Sequence, residues 1–209
     1  TQGYSSAASD VYKRQVQDKF LKYLKDTLEA DDTLIISGSF SKGIKAEYLV
    51  EIAKITAEKD VKLVIDSSSK VVLDTLQYQP YLLKPNDQEL ASFFDLNEKL
   101  DQEKIIELAR KLISAGCQNV LVSLGENGAS LINKDHAYFG NAPKIQALNT
   151  AGAGDTMLGT FIGEKAKAKS DTAALKSAIA AGSDTASRSG LTDFKLEKYL
   201  KEIQVSEIK

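Results

Sequence analysis

The spacing of apolar positions changes several times along the chain, and each change marks an element. Val16, Phe20, Leu21, Leu24 and Leu28 recur at helical spacing and predict an amphipathic helix over about 16–30. The short apolar run 33–37, TLIIS, closes at Gly38 and reads as a buried strand. Leu49, Ile52 and Ala53 mark the next helix, KLVID (62–66) the next strand and YLLK (81–84) a third strand, stopped by Pro85-Asn86. A stripe of Ile105, Leu108, Ala109, Leu112 and Ile113 predicts a helix ending at Gly116, followed by a strand at 119–125. Beyond Gly125 the pattern shortens: 128–133 and 136–140, joined by Lys134-Asp135, predict a hairpin, and IQALN (145–149) a further short strand. The remainder is helical, with helices from about Gly154, across 171–187 and near 195–201.

Strands separated by helices of this length predict an α/β fold: an open, mostly parallel sheet with helices on both faces, in a single domain. Residues 1–15 show no apolar period and no initiator Met, and read as a non-native or disordered leader ahead of a domain over 16–209. Composition narrows the function classes. With 27 Lys+Arg against 29 Asp+Glu, the chain carries no basic footprint for nucleic acid and no polybasic membrane signal. There is no apolar run of membrane-spanning length. One cysteine, Cys117, cannot form an internal disulfide or a multi-cysteine metal site. These features predict a protein of the reducing cytoplasm. His136, the sole histidine, lies in the predicted hairpin and reads as structural, as does Cys117.

The strongest chemical signal is Asn149-Thr150-Ala151-Gly152-Ala153-Gly154-Asp155, a glycine-rich turn opening a helix. Small residues let backbone N–H groups approach an anion, and a helix N-terminus favours negative charge. Gly152, Ala153 and Gly154 are thus candidates for an anion hole. Asp155 beside them is placed to take a proton from a hydroxyl attacking a phosphate. A plain glycine turn with an Asp at a helix start explains the same residues. The Walker pattern fails, since Gly43 is followed by Ile44, and the dinucleotide pattern fails at Met157. Asn86 and Glu89 stand three apart at a strand-to-helix turn, an oxygen pair suited to a Mg²⁺ that keeps most of its waters; a helix cap is the alternative. Ser123, Gly125 and Gly128 end a strand where ligands of open α/β sheets bind, or form only a hairpin turn.

NTAGAGDTMLG (149–159) resembles the C-terminal motif of PfkB/ribokinase-like carbohydrate kinases, and three further segments match in the same order. SGSFSKG (37–43) is similar to a loop of hexose-phosphate kinases, KPNDQEL (84–90) to the family's KPNxxEL, and SLGENGA (123–129) to its SLGxxGA. The resemblance runs from about residue 16 onward. It implies transfer of the ATP γ-phosphoryl group to a sugar hydroxyl, with Asp155 as catalytic base and Mg²⁺ held through Asn86 and Glu89. ATP contacts are implied for Lys84, Asn86, Ser123, Gly125, Gly128, Ile179 and Ser183, although the small residues around Ile179 and Ser183 also suit helix packing. Ser39 is a candidate sugar contact, and Lys42 an anchor for a sugar-borne phosphate.

Complete family members are longer, and their N-terminal strands, sugar-gripping Asp and β lid find no counterpart before Val16. The resemblance therefore implies a ribokinase-like fold without those strands and that lid, inactive alone, whose complete form pairs as a homodimer through the lid. K⁺ is a further cofactor of the family, but Asn149 stands where many relatives carry Asp near a monovalent-cation site. The loops at 37–43 and 81–90 are most similar to the 1-phosphofructokinase/tagatose-6-phosphate kinase branch. The first expectation is phosphorylation of fructose 1-phosphate to fructose 1,6-bisphosphate. The alternatives are a tagatose-6-phosphate kinase and a non-catalytic nucleotide-binding remnant.

Overall fold

The computed structural model describes residues 2–39 and 44–208, with side chains from residue 14 onward. They fall into two compact units, one of residues up to Leu83 with 115–118, the other of 84–114 with 119 onward.

The first unit begins with helix α1 (Gln2–Thr27), which takes in residues 2–15, read as part of a leader, and the predicted stripe as far as Leu24. Strands β1 (Thr33–Ser37), β2 (Lys62–Asp66) and β3 (Leu82–Leu83) pair in parallel, Leu34 beside Leu63 and Val64 beside Leu82. Leu63, Val64 and Ile65 are all buried, the continuous apolar run expected of a parallel strand covered on both faces. Helix α2 (Tyr48–Glu58) connects β1 to β2 and buries Leu49, Ile52, Ala53 and Ile55. A 3₁₀ segment over Lys70–Tyr78 leads to β3. Gly116 has φ +130, and a Cβ there would stand 2.1 Å from the Leu76 carbonyl oxygen, so only glycine fits that approach.

The second unit is built on antiparallel pairs. Strands β4 (Asn119–Ser123), β5 (Ala129–Asn133), β6 (Ala137–Gly140) and β7 (Val205–Glu207) lie side by side in that order. The predicted hairpin is thus β5–β6. Its entry at Gly128 is sterically forced: φ is +105, and a Cβ would stand 1.9 Å from the Gly140 carbonyl oxygen. Helices α3 (Asp87–Phe93) and α4 (Gln102–Ser114) precede β4. Helix α5 (Ala153–Ala166) packs against α6 (Asp171–Ala186), and α6 in turn lies on β5, β6 and β7. A short helix α7 (Glu197–Leu200) leads into β7.

One predicted element is absent. Residues 145–149 form no strand. The Leu148 and Asn149 amides both donate to the Ala186 carbonyl, at 2.8 and 3.2 Å, so these N–H groups serve the end of α6 rather than a ladder. Leu148 is correspondingly exposed. Among the described residues, no helix is long and apolar enough to cross a membrane.

Candidate active site

The turn before α5 is shaped by its own side chains and amides. Asn149 Oδ1 accepts the Ala151 N–H at 3.0 Å, and the Ala153 N–H reaches the Thr150 carbonyl at 3.2 Å. Gly152 caps the helix at φ +77, a left-handed conformation that any L side chain would strain. Its carbonyl takes the first helical bond, from the Thr156 N–H at 2.8 Å. The amides of Ala153, Gly154 and Asp155 thus occupy the first turn, where helix N–H groups lack intrahelical partners and the dipole is positive. Asp155 is exposed in that turn.

Lys84, at the end of the 81–84 segment, is buried with 6% exposure. A Cβ built on Gly154 would stand 3.4 Å from its Nζ, so the ammonium group lies against the start of α5. Lysines are seldom this buried. Here a cation and the positive end of a helix converge on one small volume, which favours an anion such as a phosphate.

The strand ends at Ser123 and at Pro85-Asn86 meet. The Ser123 N–H donates to the Pro85 carbonyl at 3.0 Å, and Ser123 forms a parallel bridge with Asn86. Asn86 and Glu89 form a reciprocal capping box: Asn86 Oδ1 accepts the Glu89 N–H at 2.7 Å, and Glu89 Oε2 accepts the Asn86 N–H at 2.9 Å. This is the helix-cap arrangement, and it leaves the metal reading open. A carboxylate carries about four lone-pair sites, so one N–H bond does not exhaust Glu89. The pair fits a Mg²⁺ that retains its water shell and not one enclosed by protein ligands. Among the described residues, no group of three or more His, Cys, Asp or Glu side chains is placed to hold a metal.

The other predicted residues have local surroundings of their own. Gly125 is exposed with φ +57, and Gly128 is accounted for by its approach to β6. Ile179 is 1% exposed, and its Cδ1 fills the space where a Gly140 Cβ would stand, so it is a core contact between α6 and β6. Ser183 is half-buried on α6, next to Gly182, which faces the Ala153 carbonyl and Met157 across the α5–α6 contact. Ser39 belongs to the first unit and is exposed. Lys42 lies outside the described residues.

A polar ladder at the end of α6 was not anticipated from the sequence. Asp184 is 2% exposed, and its Oδ1 accepts the Tyr199 hydroxyl at 3.0 Å. Its Oδ2 stands 3.6 Å from Arg188 Nε, whose guanidinium reaches on to Asp193 Oδ1 at 3.3 Å. Thr185 Oγ1 donates to Thr156 Oγ1 of α5 at 3.1 Å and accepts the Thr192 N–H at 3.1 Å. The four-residue spacing of Asp184 and Arg188 was the available signal.

Comparison with known proteins follows the same lines. A family model described as pfkB family carbohydrate kinase matches residues 3–198. A D-tagatose-1-phosphate kinase of Bacillus licheniformis is 41% identical over 84% of this chain and 58% of its own length. A 1-phosphofructokinase of Borreliella burgdorferi is 34% identical over 91% of this chain and 62% of its own. Escherichia coli phosphofructokinase-2, solved in complex with potassium, superposes with a TM-score of 0.79 at 26% identity, covering 90% of this chain and 60% of that one. The chain thus spans about three-fifths of the length of the relatives it matches.

Proposed function

The chain belongs to the pfkB family of carbohydrate kinases, and from that premise we propose that it carries the nucleotide side of a ketohexose-phosphate kinase. The observation that supports this most is the buried Lys84 ammonium group set against the open first turn of α5. A polyphosphate in that place meets a fixed cation, backbone N–H donors and a favourable dipole at once. Lys84 and the amides of Gly154 and Asp155 hold the transferring phosphate, with the Ala153 amide, which also meets the Thr150 carbonyl at 3.2 Å, at the edge of the same turn. Ser123 and the strand ends beside it line the nucleotide's path.

In the reaction, a sugar hydroxyl oxygen attacks the γ-phosphorus, the new O–P bond forms, and the bond to the β-phosphate oxygen breaks to release ADP. Asp155 takes the hydroxyl proton as the attack proceeds. Positioning and charge stabilisation supply most of the rate, so the rigid turn matters as much as the base. Mg²⁺ supplies charge neutralisation on the phosphates when bound, with Glu89 and Asn86 as the residues that hold its water shell. At a K⁺ site this chain would offer the neutral Asn149 amide oxygen, which also accepts the Ala151 N–H at 3.0 Å.

The first acceptor in this proposal is fructose 1-phosphate. A second, D-tagatose 1-phosphate, draws support from the relative that is 41% identical. These sugars differ only at C4, and beyond Ser39 and Lys42 the family resemblance implies further sugar-gripping residues in the part of the relatives' length that this chain does not span. The chain alone is therefore expected to bind ATP weakly and to transfer nothing. Calorimetry with MgATP tests the first point. A coupled ADP-release assay with fructose 1-phosphate, D-tagatose 1-phosphate and tagatose 6-phosphate tests the second, on the chain alone and on the chain joined to the remaining segment of a relative. Sugar-dependent turnover only in the joined protein supports the proposal. ATP binding without turnover there favours a nucleotide-binding remnant, and neither binding nor turnover rejects both readings.

A further inference from the structure

We propose that Arg188 is a positioning residue for the phosphate-facing turn and that it acts through Leu191. Arg188 follows the last turn of α6 and touches three partners with one guanidinium. Nε stands 3.6 Å from the buried Asp184 carboxylate, while Nη1 stands 3.3 Å from Asp193 and 3.4 Å from the Leu191 carbonyl oxygen. Only a planar fork reaches three acceptors in this way; a lysine ammonium on the same stem would reach fewer. The buried end is fixed, since Asp184 is also held by Tyr199. The loop after α6 is thereby drawn back onto its own helix.

A second set of bonds carries the loop to α5. The Thr192 N–H donates to Thr185 Oγ1, and Thr185 donates to Thr156, whose own amide closes the first turn on the Gly152 carbonyl. Between these anchors Leu191 projects toward the turn. It is 67% exposed, yet its Cδ2 stands 2.9 Å from where a Gly152 Cβ would be. An exposed leucine laid over the turn's left-handed Gly152 restricts that residue's alternatives. The loop's own backbone shows the constraint: Phe194 sits at φ +61, a conformation bulky residues avoid, and its N–H is held by Thr192 Oγ1 at 2.9 Å. Without Arg188 the loop keeps only the Thr192 anchor, and Leu191 is free to leave Gly152.

That the turn faces phosphate is taken from the proposed function; how the turn is held is not, and can be measured directly. NMR amide exchange is followed on the full chain, unaltered and as Arg188→Gln, Leu191→Ala and the double variant. Ala153 and Thr156 report the turn, Thr192 the loop, and the amides of β4 and β5 the rest of the unit. Arg188→Gln is expected to speed exchange about tenfold at Thr192, Ala153 and Thr156, the scale of a lost charged contact, with β4 and β5 unchanged. Leu191→Ala should speed the turn alone, and the double variant should speed it no further than Arg188→Gln. A faster loop over an unchanged turn overturns the proposal, as does an additive effect of the two substitutions at the turn. If Arg188→Gln loosens β4 and β5 as well, Leu191→Ala decides alone: a faster turn supports the proposal and an unchanged one rejects it. Failure of the unaltered chain to bind MgATP would count against the proposed function and leave the exchange result standing.

Discussion

Asp155 stands in the first turn of α5, beside the N–H groups that attract a phosphate. A carboxylate so placed accepts a proton without moving. Replacing it with Asn keeps the shape and the acceptor oxygen but removes the base. In the joined, active protein, Asp155→Asn is expected to lower kcat by roughly two to four orders of magnitude, while calorimetry shows ATP affinity within a few fold. Turnover near the unaltered rate would remove Asp155 from the mechanism. The glycines are less eloquent. Gly128 has a steric reason to be glycine in its approach to the Gly140 carbonyl, whichever of the nucleotide and hairpin readings holds.

The element that most needs a decisive experiment is α3, because its first turn serves two readings at once. Glu89→Gln separates them. Glutamine at the third helical position still completes a capping box, so stability should stay within about 0.5 kcal/mol. The lost charge should raise the Mg²⁺ needed for half-maximal rate. Asn86→Ala should instead cost about 1 kcal/mol in denaturant unfolding, since the cap itself is removed. An unchanged Mg²⁺ titration in Glu89→Gln would return the pair to a purely structural role.

The tie between β6 and β7 makes a prediction about pH. His136 Nδ1 lies 2.7 Å from Glu207 Oε1, and this hydrogen bond raises the imidazole above its ordinary 6.5. A group whose pKa is raised on folding contributes stability below the unfolded value and loses it as pH rises through the folded value. The contact should therefore be firm in mild acid and relax in mild alkali. An NMR titration should place the His136 midpoint above 6.5, and Glu207→Gln should bring it back. No difference between the two proteins would show the pair to be immaterial.

The legibility of these elements in the sequence follows their physics. β2 and β4 were readable because each buries a continuous apolar run, Leu63–Ile65 and Val120–Val122. β7 was not, since Val205-Ser206-Glu207 has a single apolar residue and is a strand only because β6 offers it an edge. The stretch 145–149 failed in the opposite sense: its apolar residues suit a strand, but its last two amides are claimed by Ala186. In the site, the turn at 149–155 and its neighbours at 84–89 were legible as local motifs. The Asp184–Arg188–Asp193 ladder was not, because its meaning depends on Asp184 being buried.

At the scale of the whole molecule, each unit buries its own core, but the first leaves much apolar surface in water. Val16, Phe20 and Tyr23 of α1 are 49, 43 and 59% exposed, and Ile35 of the end strand β1 is 40% exposed. An end strand with apolar neighbours invites association. Light scattering of the chain should rise with concentration, and the pair Phe20→Lys with Tyr23→Glu should reduce that rise. A chain that scatters as a monomer across the range would show these faces to be harmless in solution.

The placement of β7 also governs how the protein is made. His136 and Glu207 are 71 residues apart, and the Ile208 amide closes on the Ala137 carbonyl at 2.7 Å. During synthesis the β5–β6 hairpin must therefore wait with one edge bare until that distant strand has left the ribosome. At about 5–20 residues per second the wait lasts on the order of 4–14 seconds, long against the microseconds in which a hairpin forms. Nascent chains held in that interval by slow codons beyond 140 would present the same bare edge to one another. The yield of folded protein then depends on the pace of translation across its last third as well as on the stability of the finished fold.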